Sequence, residues 1–289
     1  MEKLHYPGWR SALFLPVHID KFVAKAHTRG ADAYILDLED SVPLAQKAEA
    51  RECVVPAART VKQGGAAALV RINQDHAMAI EDLDASVHDE VSAIVVPKVE
   101  SPEFLHYLAD RLCELEQLRG LPPGHTGIIA MIESVAALPQ LDAIAAAHPR
   151  VIAMTLGSED FSATAGMVPN TETLYGPSQM LAFACRRAGI VPLGFPGSIA
   201  DYSDIDAFRE VVRKARDLGF VGAFCIHPKQ VAVLNEVLTP SEAELQEARE
   251  LVACFEQALT EGKGAAEFNG KMIDLPVVDR ARELLRQSE

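Results

Sequence analysis

Thr126-Gly-Ile-Ile-Ala-Met-Ile-Glu133 and Ile152-Ala-Met-Thr-Leu-Gly-Ser-Glu-Asp160 share one pattern, a short apolar run that closes on a carboxylate. Apolar character on both faces is what a parallel strand covered by helices requires. The same kind of run recurs before them, at Ser11-Ala-Leu-Phe-Leu-Pro16, Ala33-Tyr-Ile-Leu-Asp-Leu38, Ala67-Ala-Leu-Val-Arg-Ile-Asn73 and Ala93-Ile-Val-Val-Pro-Lys-Val99. It recurs after them at Ile190-Val-Pro-Leu-Gly-Phe195 and Gly222-Ala-Phe-Cys-Ile-His227. Helix-like segments lie between, at 20–29, 43–63, 102–118, 135–147, 177–188, 204–218 and 229–237. Eight strand-like runs alternating with helices predict an α/β fold, a (β/α)₈ TIM barrel over residues 1–238, with a doubly wound sheet as runner-up.

In such a barrel, chemistry gathers where strands end. Asp37, Glu39 and Asp40 follow the second strand, and Arg71 and Asn73 lie on the third. Lys98 and Glu100 close the fourth, Glu133 the fifth, Ser158 to Asp160 the sixth and His227 the eighth. So many charges at one rim predict a bound ligand.

Residues 239–289 read as a C-terminal helical arm. Ser241 followed by Glu244 is a capping-box pattern, opening an amphipathic helix to about Leu259. Glu261-Gly-Lys-Gly-Ala-Ala266 reads as a flexible break before a last helix ending near Arg286. The arm need not complete the barrel, so covering the active site or docking on another subunit is its expected use.

The chain has 289 residues and 49% hydrophobic content, enough for a sizeable core. A net charge of −14, with no long basic run, argues against a nucleic-acid partner. The five cysteines show no CxxC pair or metal spacing and are read as buried, reduced thiols of a cytoplasmic protein. No signal core or membrane span is evident.

Glu133 and Asp160 suit either of two uses, ligation of Mg²⁺ with room for substrate oxygens or capping of the helices that follow. Mg²⁺ is preferred to Zn²⁺ because neither acid has a His or Cys beside it. Arg71, inside an apolar strand, needs an anion: one of the chain's own acids, Asp37 or Glu39, or a substrate carboxylate gripped by both guanidinium arms. The acids of Asp37-Leu-Glu39-Asp40 imply a cation nearby, whether Arg71, Lys98 or a metal. Asp37 and Glu39 are expected to orient metal-bound water and the basic residues. His227 is read as structural, preceding the helix that Pro228 opens. The glycines form no dinucleotide or P-loop motif.

Taken together, Arg10-Ser-Ala-Leu-Phe-Leu-Pro16, Ile35-Leu-Asp-Leu-Glu-Asp40, Val70-Arg-Ile-Asn73, Val96-Pro-Lys98, Ile132-Glu133, Gly157-Ser-Glu-Asp160, Cys225-Ile-His-Pro228 and Gly270-Lys-Met-Ile-Asp-Leu-Pro276 resemble the citrate lyase β-subunit-like family, which includes malyl-CoA and citramalyl-CoA lyases. The resemblance implies a phosphoenolpyruvate/pyruvate-type barrel in a homotrimer or hexamer. It implies Mg²⁺, with Mn²⁺ as the alternative, on Glu133 and Asp160, and a 2-oxoacid carboxylate on Arg71 with Lys98 beside it. CoA, as part of the substrate, is expected near Arg10, with Lys21 and Lys25 as further contacts. Asp274 would act from a lid closing over a neighbouring subunit. One departure is Leu193-Gly-Phe-Pro-Gly197, where many relatives carry an aliphatic–Asp pair; it leaves the acyl group open.

The implied reaction is a reversible Claisen-type cleavage of a 3-hydroxyacyl-CoA to acetyl-CoA and a 2-oxoacid, with Asp274 exchanging the methyl proton. Alternatives are a malyl-CoA thioesterase or malate-synthase-like activity, the β-subunit of citrate lyase acting on a carrier-protein thioester, and a non-catalytic acyl-CoA-binding subunit.

Overall fold

The computed structural model describes residues 2–286, and the chain divides between Leu238 and Thr239 into two compact units. The first runs β1 (Ser11–Pro16), α1 (Asp20–Ala26), β2 (Ala33–Asp37), α2 (Lys47–Glu52), α3 (Val54–Lys62), β3 (Ala67–Arg71), α4 (His76–Ser86), β4 (Val91–Val96) and α5 (Pro102–Arg119). It continues with β5 (Gly127–Ile132), α6 (Leu141–Ala145), β6 (Val151–Leu156), α7 (Ser158–Ala165), α8 (Thr171–Ala188), β7 (Val191–Leu193), α9 (Ile205–Asp217), β8 (Ala223–Cys225) and α10 (Pro228–Leu238). Each strand pairs in parallel with the next as far as β7, and β8 pairs back onto β1. The isolated bridge Leu193–Gly222 joins the remaining seam. This is a (β/α)₈ barrel, not a doubly wound sheet.

Side chains alternate along each strand as the pleat requires. Ala33 and Ile35, Leu69, Val95, and Ile129 and Met131 pack into the barrel interior. Tyr34 and Leu36, Val70, Ile94, and Ile128 and Ala130 pack among the helices. Continuing the inward series by two residues reaches Asp37, Arg71 and Glu133. Strand period alone therefore aims these groups at the axis.

Prolines accompany three departures from the predicted segments. Pro56 has no N–H to give Glu52, and 43–63 divides into a 3₁₀ turn at Leu44–Gln46, then α2 and α3. Pro139 lies in a 3₁₀ turn, Val135–Gln140, ahead of the short α6. Pro192 shortens β7 to three residues. Helices α4 and α7 are additional to those predicted. Asp160 therefore lies in the first turn of α7, four residues beyond β6. All five cysteines are free, but only Cys185 and Cys225 are buried; Cys113 is exposed. Among the described residues no helix is long and apolar enough to cross a membrane.

The second unit holds α11 (Glu242–Thr260), a hairpin of β9 (Ala266–Phe268) and β10 (Lys271–Ile273), and α12 (Leu275–Arg286). The Ser241–Glu244 capping box forms at the start of α11. Asn269 and Gly270, at φ of 49° and 73°, make the left-handed turn that suits a two-residue hairpin loop. Phe255, Ile273 and Val278 form its core.

A buried ion pair ties the N-terminal end of the barrel together. Arg150, directly before β6, sends Nη1 and Nη2 to the two Glu116 oxygens at 2.6 Å each, and both residues are buried. Glu116 also accepts the N–H groups of Gly124 and Thr126, and Arg150 Nη1 donates to the Thr126 carbonyl. The pair therefore links α5 to the starts of β5 and β6. Arg150→Ala leaves a buried, unpaired carboxylate and should cost about 3–5 kcal/mol, read as a lower urea midpoint at unchanged m-value.

Candidate active site

A cavity of about 460 Å³ opens at the C-terminal ends of the strands. Asp37, Asp40, Arg71, Glu133, Glu159 and Asp160 bring charge to it, while Phe14, Met131, Leu156, Phe195, Phe224 and Ile226 are among its apolar lining. No His or Cys lines it, so its charged groups other than Arg71 are all carboxylates.

Register builds the first ion pair. Asp37 and Arg71 are Cα partners on adjacent parallel strands, so their side chains meet on one face. Arg71 donates through Nε and Nη2 to the two Asp37 oxygens at 2.7 and 2.8 Å. Its Nη1 lies 2.9 Å from Glu39 Oε2 and 3.5 Å from Asp40 Oδ2, and the Phe14 ring sits 4.7 Å from the guanidinium carbon. Of the two partners predicted for Arg71, the chain's own acids hold the Nε–Nη2 edge. A substrate carboxylate gripped by that edge, as the sequence also allowed, would have to displace Asp37.

Burial alone would raise the Asp37 carboxyl, but the Arg71 hydrogen bonds and charge, with N–H groups of Ser41 and Glu39, hold it below the usual range. Glu39 shifts the other way, because its burial outweighs Arg71 and Lys98. Arg71 stays charged: burial opposes this and Asp37 overcomes it.

Lys98 links the acids. Its backbone takes a left-handed φ of 52°, rare for a side-chain-bearing residue. The N–H then donates to Glu133 Oε2 at 2.6 Å while Nζ pairs with Glu39 and reaches Asp40 at 3.6 Å. Lys98 was expected to bind substrate, yet it is not among the cavity-lining residues. Its ammonium turns to Glu39 because that buried carboxylate needs a second cation.

Glu133 is buried at the cavity edge. Burial foremost, then the charges of Glu39 and Asp160, push its carboxyl up to about 7, against the Lys98 N–H and Arg71. Gly157 makes room for it: a Cβ there would stand 2.5 Å from Glu133 Cγ and 2.7 Å from Oε1. Asp160, exposed on the first turn of α7, lines the same cavity. Two carboxylates without nitrogen or sulfur donors, one of them buried at a cost, fit a hard cation that keeps other oxygens as ligands. Among the described residues no group of three or more His, Cys, Asp and Glu forms a metal cage.

Other predicted site residues fall elsewhere. Arg10 is a correction: it precedes β1 at the opposite end of the barrel, and its Nε and Nη2 close on Asp32 at 2.8 Å each. A strand's first residue cannot reach the rim where its last residue points. Lys21 and Lys25 are exposed on α1, which starts from the cavity end of β1. Asp274 lies in the second unit, half-buried between β10 and α12. His227 receives the Lys229 N–H at Nδ1 and stacks on Tyr202 at 4.4 Å, a helix-start role. Asn73 supports the loops, donating to the Leu38 carbonyl and to Asp82. Phe14, Thr155 and Gly157 went unpredicted, since an aromatic, a threonine and a glycine in apolar runs read as packing.

A family model described as HpcH/HpaI aldolase/citrate lyase matches residues 10–228. An L-malyl-CoA/beta-methylmalyl-CoA lyase of Cereibacter sphaeroides is 34% identical over 310 aligned positions, covering 99% of this chain and 94% of that protein. The citrate lyase subunit beta of Escherichia coli is 33% identical, covering 97% and 93%. Among solved structures, Mycobacterium tuberculosis CitE in complex with magnesium, acetoacetate and coenzyme A superposes with a TM-score of 0.73 at 28% identity, covering 98% of each chain. With the barrel and the matched segments in agreement, the chain belongs to the HpcH/HpaI aldolase/citrate lyase family and is an oxo-acid lyase.

Proposed function

We propose that this protein is a Mg²⁺-dependent carbon–carbon lyase that cleaves a 3-hydroxyacyl-CoA of the malyl-CoA or citramalyl-CoA kind to acetyl-CoA and a 2-oxoacid. The observation that carries it is the buried Glu133 carboxyl beside Asp160, at the wall of a cavity that also holds Arg71. CitE of M. tuberculosis, complexed with magnesium, acetoacetate and coenzyme A, supports the same ligand classes here.

Glu133 and Asp160 would hold the cation, which supplies Lewis-acid polarisation of substrate oxygens. Arg71, its orientation fixed by Asp37 and Phe14, places a permanent positive charge where the 2-oxoacid carboxylate would lie. Glu39 and Asp37 keep Arg71 and Lys98 in position. On cleavage the hydroxyl gives its proton to solvent water, the oxygen forms the new carbonyl of the 2-oxoacid as the carbon–carbon bond breaks, and the electron pair of that bond moves to the carbon beside the thioester. Asp274 returns a proton to that carbon, and takes one from it in the synthetic direction. Asp274 would work from the second unit of a neighbouring copy in a cytoplasmic homotrimer or hexamer. Lys21 and Lys25 would meet the CoA phosphates.

The citrate lyase β-subunit of E. coli is nearly as similar as the malyl-CoA lyase, so a carrier-protein thioester is the second reading. Purified protein incubated with Mg²⁺, acetyl-CoA and either glyoxylate or pyruvate should form a CoA ester, and EDTA should abolish this. Free CoA would mark a thioesterase, and activity only with added carrier protein would mark the citrate lyase role. Asp274→Asn should cut turnover about 10²–10⁴-fold with cation affinity unchanged; an unaltered turnover number removes Asp274 from the reaction.

Metal and proton compete for Glu133. Calorimetric titration should show cation affinity level above about pH 7 and falling roughly tenfold per pH unit below it. Without metal, the folded form holds this proton more tightly than the unfolded chain does. That contribution to stability is complete below the ordinary carboxylate range and lost as pH rises through about 7. Glu133→Gln should therefore raise the metal-free Tm at pH 8 and erase the shift produced by Mg²⁺.

A further inference from the structure

The β7–β8 seam is the thinnest join in the barrel. One bridge, Leu193–Gly222, crosses it, with Gly194 N–H donating to the Gly222 carbonyl at 2.8 Å and Val221 N–H to the Pro192 carbonyl at 3.3 Å. Pro192 offers no N–H in return. Above that bridge the two main chains diverge, β7 into the loop that runs from Gly194 to Asp204 and β8 into Ile226 and His227.

A side chain fills the missing rungs. Gln230, wholly buried in the first turn of α10, accepts at Oε1 the N–H groups of Ile226 (3.0 Å) and His227 (3.1 Å). Its Nε2 donates to the Ile199 carbonyl at 3.1 Å, 31 residues away in the β7–α9 loop. The primary amide has the donor and acceptor of a peptide group, so it stands in for backbone at the seam. One half caps α10, because a side chain three residues into a helix that takes the N-cap N–H is half of a capping box. The other half reaches a different loop and does nothing for the helix. Ile199 and Ile226, the residues joined, both line the cavity.

We propose that Gln230 is a positioning residue: by tying Ile199 to the end of β8 it fixes the apolar stretch of cavity wall that Ile199 and Ile226 form, and so sets which 2-oxoacid side chain the site accepts. The selectivity part rests on the lyase reading above; the tether does not. Ser158 Oγ accepts the Ile199 N–H at 3.3 Å from the other side, so the Ile199 main chain is held between α7 and α10. A wall held at both ends can favour a substrate methyl group, whereas a loose wall gains little from one.

The test separates cap from tether. Gln230→Glu keeps an acceptor for the two N–H groups and replaces the donor that faces Ile199. Hydrogen exchange should then rise about tenfold in 194–204 while the amides of α10 keep their protection. The ratio of kcat/KM for pyruvate over glyoxylate should fall about five- to tenfold, and Ile199→Ala should remove most of the effect of Gln230→Glu on that ratio. A helix cap alone would move α10 protection and leave the ratio and the loop untouched, which overturns the proposal. So does a loosened loop with an unchanged ratio. If the wild type turns over neither oxoacid, the lyase reading fails and the exchange pattern by itself decides the tether. Gln230→Met, which loses cap and tether together, should loosen both segments, and a loop unaffected in that variant overturns the proposal as well.

Discussion

Crowded carboxylates at one end of a closed barrel are the constraint on which the site depends. Asp37, Glu39, Asp40, Glu133, Glu159 and Asp160 outnumber the cations that touch them, and strand geometry gives the inward-pointing ones no retreat into solvent. Each local arrangement reads as a response. Arg71 is shared among three acids, Lys98 between two, and Lys47 reaches the carbonyls of Leu38 and Glu39. Of the three acids left without a cation, Glu133 is the buried one, and it relieves the excess by keeping its proton to about neutral pH. A divalent cation does the same job more completely, which is why the site's electrostatics and its proposed chemistry coincide.

The two ends of the barrel divide the labour. At the N-terminal end charges are matched one to one: Arg150 with Glu116, Arg10 with Asp32. Such pairs neutralise each other's charge and leave none over for a ligand. At the C-terminal end charges are unequal and most of them face a cavity. A matched pair is architecture, whereas an unmatched group is available for a ligand.

That distinction also marks what was legible in the sequence. The strands could be read because apolar side chains face both ways, and Glu133 and Arg71 because each interrupts such a run. Arg10 misled: a charge beside a strand looks alike at either end until the direction of the chain is used, and its partner Asp32 is likewise at the start of a strand. Helix α4 escaped notice because its buried face carries Asp82 and Ser86 beside Ala79 and Leu83, which blurs the apolar stripe. The hairpin was signalled by Asn269-Gly270 and overlooked amid a glycine-rich stretch. Neither Gly157, though part of a matched segment, nor Gln230 shows its role in the sequence, since what they do depends on Glu133 and Ile199, distant in sequence.

The left-handed turn at Lys98 has a consequence for how such a protein can change. Holding a lysine there costs about 1 kcal/mol that a glycine would not incur. Yet only a residue with both that twist and a long ammonium arm can serve Glu133 through its main chain and Glu39 through its tip. Breeding for heat resistance and breeding for turnover would pull this position in opposite directions.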